Sequence, residues 1–337
     1  MNRHYIKSIP ELLKSEAFSR EEKIDILKER AKKKLLGSKD KTGILINLVK
    51  YVLLISIGFV YLYPLLYMFI TSFMSLDDLL DTSVKWIPSK MYLKNFKDAL
   101  MVMDFKTNIW KSLYIPIVPT LIQVAVCAVV GYGFARYRFF GKNIFMALML
   151  FTFILPPQVT MMPTYVLYTD LKFLGSMKAF VIPALLGQGF KSAIFILIYY
   201  QFFKQIPKSL LEAAQIDGAG HWKSFFRIAL PSAVPAIIVV FLFSFIWYYN
   251  ETYLVALYLN NSGLKGGSKL TTLLIELQNF EQSYSTIYPA TENTVNRLNE
   301  AIRMAGTMVS IAPLLAIYAL LQKHFVESVD RTGITGE

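Results

Sequence analysis

A chain of 337 residues that is 55% hydrophobic and only 17% charged reads as a polytopic membrane protein, which excludes an ordinary soluble domain. Its formal net charge of +12 fits cytoplasmic loops facing anionic headgroups better than it fits nucleic acid. The single cysteine, Cys127, excludes an internal disulfide.

Residues 1–42 form a mixed-charge tail that ends basic, with Arg30, Lys32, Lys33, Lys34, Lys39 and Lys41. Ser19 with Glu22 three positions on predicts a capped helix there. No aromatic residues interleave the terminal lysines for base stacking, so the cluster reads as a cytoplasmic flank of a span. The polar N-terminus shows no cleavable signal, and the first span is expected to act as its own insertion signal.

Six apolar runs are long enough to cross a bilayer, at about 44–72, 110–135, 143–168, 178–203, 233–259 and 304–325. The first lies in a segment bounded at 43–73, and residues 74–109 are an outer segment with Trp86 and Pro88. Pro156-Pro157 and Pro163 interrupt the third run. The fifth and sixth are joined by an outer loop at about 260–303, and residues 326–337 form a C-terminal tail. An even number of spans puts both termini on one side. Arg136, Arg138, Lys142, Lys204, Lys208, Lys223, Arg227, Lys323 and Arg331 make that side cytoplasmic, although Lys85, Lys90, Lys94 and Lys97 on the outer segment run against the bias. The expectation is an all-α polytopic protein with six transmembrane helices and a five-helix core at 110–325.

Between spans four and five lies a polar island within 204–231, EAAQIDGAGHWKSFFRIALP from Glu212 to Pro231. Pro207 suits a first helical turn, and Lys208 to Ile216 predicts a short amphipathic helix. Asp217-Gly218 ends it in a turn, with Asp217 a candidate N-cap for a second helix carrying Trp222, Phe225 and Phe226 on one face. Such a helix–turn–helix suits docking into a groove on another protein.

Glu212-Ala213-Ala214, then Gly218, then Ile228 after nine residues and Leu230-Pro231, resembles the EAA loop of permease subunits from binding-protein-dependent ABC importers. Gly131 to Lys142, Ile154 to Leu167, Phe202 to Gly218 and Gln322 to Glu337 resemble the carbohydrate-uptake branch, of which the maltose-type permeases are the best-known members. The resemblance implies a type I ABC importer permease fold in a bacterial or archaeal plasma membrane. It implies that Glu212, Ala213, Ala214, Asp217, Gly218, Ile228, Leu230 and Pro231 couple to a separate ATPase. It also implies a second homologous permease, two ATPase subunits, an extracytoplasmic substrate-binding protein and surrounding lipid as partners. Two departures stand out: the tail at Gly333-Ile334-Thr335-Gly336 lacks a lysine that the family commonly has, and the outer loop 260–303 is long.

The chain carries no engine of its own. At Gly263 to Lys269, where a Walker A loop comes nearest, Ser268 stands in for the second glycine, so ATP and Mg are expected on the partner ATPase and no cofactor on this chain. His4, His221 and His324 are scattered without ligand spacing, which gives no metal site, and no catalytic arrangement is evident. In the fifth span Trp247, Tyr248, Asn250 and Glu251 admit two readings: a sugar-lining path, with aromatic faces beside hydrogen-bonding groups, or an interfacial aromatic belt. A secondary transporter with Glu251 as a proton site, and an importer of a glycerol phosphodiester, are the rival functions.

Overall fold

The computed structural model describes residues 24, 25, 28, 32–38, 41–84, 86–260, 270–289 and 298–334. The capping pair Ser19 and Glu22, the Gly263–Lys269 stretch and Gly336 fall outside them. The chain divides into two units, Met1–Tyr67 and Met68–Glu337. Apart from an antiparallel pair of two-residue strands, β1 (Gly37–Ser38) with β2 (Lys41–Thr42), the elements among the described residues are helical.

Helix α1 (Ile44–Ser72) is apolar throughout, with Pro64 inside it. The segment that follows α1 holds two short helices, α2 (Leu76–Leu80) and α3 (Lys94–Val102). Ser75 and Asp78 cap α2 reciprocally, satisfying two amides at its N-terminus. Hydrogen bonds from Ser89 and Ser75 hold the Asp78 carboxyl below its usual range. The buried Asn95 amide donates to the Ser72 and Met74 carbonyls at 3.0 and 2.8 Å, which ties α3 to the chain that leaves α1. An Asn95→Leu variant leaves both carbonyls without that donor. It is expected to lose about 2 kcal/mol, read as a lowered thermal midpoint in detergent.

The scaffold of the second unit is α4 (Phe105–Arg136). It packs against α7 (Lys178–Leu185), α8 (Ser192–Gln205) and α12 (Val234–Asn250), and α12 packs in turn against α16 (Glu300–Ile334). Close approach of α4 and α8 depends on Gly131. A Cβ there would lie 2.6 Å from the Tyr199 Cβ and 3.0 Å from the Ile196 carbonyl oxygen. The Tyr249 hydroxyl donates to the Ser310 carbonyl at 2.5 Å and joins α12 to α16.

By length and apolarity α1, α4 and the Glu300–Lys323 part of α16 can each cross a membrane. Two bent pairs raise the number to five: α5 (Lys142–Ile154) with α6 (Pro157–Asp170), bent by 99°, and residues 221–232 with α12, bent by 75°. The 99° break falls at the Pro156-Pro157 pair, where the residue before a proline is driven out of the helical region.

Two expected spans are not continuous. The run 178–203 is two helices, α7 and α8, separated by residues 186–191 with Gly187 and Lys191 at positive φ. By length and apolarity this run is therefore the one of the six expected spans without a candidate crossing among the described helices. The run 233–259 breaks at Glu251-Thr252, so that α12 ends at Asn250 and a short α13 (Tyr253–Leu259) follows. Beyond it lie α14 (Leu273–Gln278) and α15 (Phe280–Ile287), whose Phe280 and Tyr284 pack with Met103, Ile302 and Ala305. Helix α16 continues past the expected end of the sixth span, as far as Ile334.

Candidate coupling loop and translocation path

Residues 206–233 sit on a buried aromatic base at one end of α4. Tyr132 stacks edge-on against Phe203 at 5.3 Å and lies 4.9 Å from Phe225, and Ile206, Ala229 and Ala233 complete the cluster. The Arg136 guanidinium, at the last residue of α4, donates to the Ile206 carbonyl at 2.5 Å. That bond fixes where the loop leaves α8. The ring of Tyr137 meets His221 at 5.6 Å, a second tie between the end of α4 and the loop.

On this base stand α9 (Lys208–Ile216) and α10 (His221–Ser224). Leu211 and Ala214 face inward and are buried, which gives α9 its inner stripe. The turn between them is a Schellman ending. The Gly218 amide donates to Gln215 at 3.0 Å and the Ala219 amide to Ala214 at 2.8 Å, with Gly218 in the left-handed region at φ +79°. Asp217 is therefore the C-cap of α9, and not the N-cap of the next helix, a place that Gly220 takes. The glycine is the residue that supplies positive φ without strain, and it stops a helix that favourable residues would otherwise extend. Past α10 the backbone widens into a π turn at Phe225–Ala229, and α11 (Leu230–Ser232) carries Leu230 and Pro231 up to the bend before α12.

Glu212, Ala213, Asp217, Gly218 and Pro231 are exposed, Ile228 and Leu230 are half-buried, and Ala214 is buried. Around Glu212 and Asp217 lie large apolar side chains open to the outside: Ile216 is 86% exposed and Trp222 65%, with Phe226 stacked on Trp222 at 6.0 Å. The aromatic-backed loop thus presents a face of mixed charge and exposed apolar side chains, with Lys208, Lys223 and Arg227 open as well. That composition suits a protein groove.

The second candidate region lies at the other end of α12. Trp247 and Asn250 are exposed along the side that also carries Phe243. Tyr248 is on the opposite side and is buried. Its ring stacks on Phe190 at 4.7 Å and its hydroxyl accepts from the Phe190 amide at 3.2 Å. Its role here is to hold the 186–191 segment. Glu251 is half-buried at the helix break, and its carboxylate accepts from the Leu254 amide at 2.9 Å, at the start of α13.

A buried polar network on α4 and α12 went unread in the sequence. Gln123, fully buried, donates to the Phe190 carbonyl at 2.6 Å and to the Ser192 hydroxyl at 3.0 Å. Its side-chain oxygen accepts from the Ser244 hydroxyl at 3.2 Å, and that hydroxyl also reaches Thr120 at 3.3 Å. The backbone between α7 and α8 is freed from helical bonding, and Gln123 and Tyr248 supply partners for it. The signals that could have found it were a glutamine inside Thr120–Val130 and the Gly187-Gln188-Gly189-Phe190-Lys191 run inside a presumed span. Among the described residues no group of three or more His, Cys, Asp and Glu side chains is placed to hold a metal ion.

Residues 127–331 match the family model described as the binding-protein-dependent transport system inner membrane component. The chain is similar to the polygalacturonan/rhamnogalacturonan transport system permease protein YtcP of Bacillus subtilis, with 26% identity over 87% of this chain and 99% of that protein. It is also similar to the arabinooligosaccharides transport system permease protein AraQ of Halalkalibacterium halodurans, with 25% identity over 83% of this chain and 93% of that protein. Among solved structures, a bacterial ABC transporter involved in the import of the acidic polysaccharide alginate superposes with a TM-score of 0.67 at 22% identity, over 83% of this chain and 96% of that one.

Proposed function

The chain belongs to the inner membrane components of binding-protein-dependent transport systems, and from that premise we propose that it is one permease subunit of an ATP-driven importer of a sugar or oligosaccharide. It is a multi-pass membrane protein, and in this reading both termini and the 206–233 loop face the cytoplasm. The observation that carries the proposal is the loop itself: a Schellman-closed helix pair on a buried aromatic base, presenting Glu212, Ile216 and Trp222 outward. ATP hydrolysis belongs to two separate subunits that dock there. A second, homologous permease completes the path, and an extracytoplasmic binding protein delivers the solute. The names of the relatives, transporters of pectic polysaccharide and of arabinooligosaccharides, support a saccharide.

The mechanism follows from rigidity. A push on α9 and α10 is passed through Phe225, Tyr132 and Phe203 to α4 and α8, because packed aromatic rings do not compress. The two permease halves then rotate and expose the path alternately to each side. Trp247, Asn250 and Glu251 line that path at the outer end of α12. The Leu254 bond to the Glu251 carboxylate favours a structural duty for that group over proton relay.

The experiment is co-expression with the neighbouring genes, purification through this chain, and assay of ATP hydrolysis. A second permease and an ATPase should co-purify, with hydrolysis stimulated by a sugar-loaded binding protein. A lone chain that transports without ATP would replace this reading with a secondary transporter.

A further inference from the structure

Lys191 places an ammonium at membrane depth. Its neighbours Phe190 and Ser192 are bonded to Gln123, which lies about 20 Å along α4 from its Arg136 end. The hydrocarbon layer is about 30 Å thick, so this level is well inside it. Irregular backbone at such a level is tolerated where it is buried in protein or lines a water-filled cavity. Lys191 also has a left-handed backbone, φ 57° and ψ 22°, which is strained for a residue with a side chain. A strained, charged residue in a span is a functional candidate on both counts.

The side chain has a defined setting. Its Nζ lies 4.9 Å from the ring centre of Trp247 on α12 and 5.4 Å from that of Phe153 on α5. Neither Lys28 with Asp25 nor Arg303 with Glu281 involves Lys191, which takes part in no ion pair among the described residues. Trp247 and Phe153 are 46% and 42% exposed, which leaves their faces open to a ligand. Two ring faces stabilise a cation only in part and leave it able to attract an anion.

We propose that Lys191, Trp247 and Phe153 form a subsite for an acidic sugar, in which the ammonium pairs with a uronate carboxylate and Trp247 takes the C–H face of the sugar ring. This deepens, and rests on, the saccharide-permease reading. One ammonium matches the single charge of a uronate, whereas a phosphate monoester carries close to two, and the Trp247 ring face favours a sugar acid over a singly charged phosphodiester.

The test is equilibrium binding to the complex purified with its partners in lipid nanodiscs, with trigalacturonate and its uncharged methyl ester as probes. Wild type should bind the acid at least tenfold more tightly than the ester, with the gap shrinking at high salt. The Lys191→Gln variant should close the gap by weakening the acid alone, and Lys191→Arg should restore most of it. The wild-type comparison needs no variant and stands even if Lys191→Gln fails to assemble. Equal affinities in wild type overturn the subsite while leaving a neutral-sugar permease intact. Equal weakening of both probes by Lys191→Gln overturns it too, and assigns the lysine to packing or to a carboxylate on the second permease. Binding of neither probe, nor of neutral maltotriose, overturns the saccharide reading as well.

Discussion

Replacing Glu212 with lysine is expected to abolish coupled uptake, by a hundredfold or more, in a chain that still inserts and assembles. Glu212 is exposed on α9, one turn before the Schellman ending, and its side chain makes no hydrogen bond or ion pair among the described residues. Removing its charge therefore leaves the fold alone and acts on whatever docks there. A buried charge pair across an interface that loses one partner costs about 2–5 kcal/mol, and reversal adds repulsion. At about 1.4 kcal/mol per tenfold, that range covers the hundredfold loss. The measurement pairs ATP hydrolysis with uptake: the variant should keep its thermal midpoint and lose stimulation by the loaded binding protein. Glu212→Gln should lose less, having kept the shape. Full transport by Glu212→Lys would remove this residue from the coupling contact.

Gly218 provides a control with a different cause. A Cβ at this position meets no atom of the chain within 4 Å, so space does not restrict it. What restricts it is φ +79°, which costs any other residue about 1–2 kcal/mol. Gly218→Ala should accordingly loosen the turn modestly, while Gly218→Val also places bulk on the docking face. A graded loss of coupling across Ala and Val, against an all-or-none loss at Glu212, would separate turn geometry from direct contact.

What the sequence revealed was local in origin. The turn at Asp217-Gly218 was legible because it rests on neighbours in the chain, and the sharp bend at Pro156-Pro157 because proline acts on the residue before it. Helical periodicity could also have separated Tyr248, with Ser244 on the buried side of α12, from Trp247, Asn250 and Phe243 on the open side. The break between α7 and α8 was not legible. Glycines are tolerated in membrane helices, so the Gly187 to Lys191 run hints at a break within 178–203 without establishing one. The groups that hold it open come from far along the chain: Gln123 lies 67 positions before Phe190 and Tyr248 58 positions after it. Glu251 has a local setting that was not legible either. It reads as a costly charge inside an apolar helix, until the helix ends there and the carboxylate accepts the Leu254 amide.

Gln123→Leu is expected to be the most damaging single substitution in the core of the second unit. The change keeps the volume and removes all three hydrogen bonds, which strands the Phe190 carbonyl and the Ser192 hydroxyl and leaves the Ser244 hydroxyl only its bond to Thr120. Interhelical side-chain bonds in membranes are worth about 0.6–2 kcal/mol each, so three of them come to about 2–6 kcal/mol. The loss should be felt first by the 186–191 segment, which depends on Gln123 and Tyr248 for its tie to α4 and α12. A Gln188→Cys probe in a Cys127→Ser background reads that directly, because Gln188 is exposed and is bonded through its backbone amide to Pro183. Adding Gln123→Leu should raise the thiol-labelling rate at position 188 by tenfold or more and lower the thermal midpoint by several degrees. Gln123→Glu should be no better, because it keeps an acceptor for Ser244 but gives up both donated bonds and buries a charge. If the midpoint falls with no change in labelling, Gln123 acts by packing α4 against α12, and the open backbone beside Lys191 is held by Tyr248 alone.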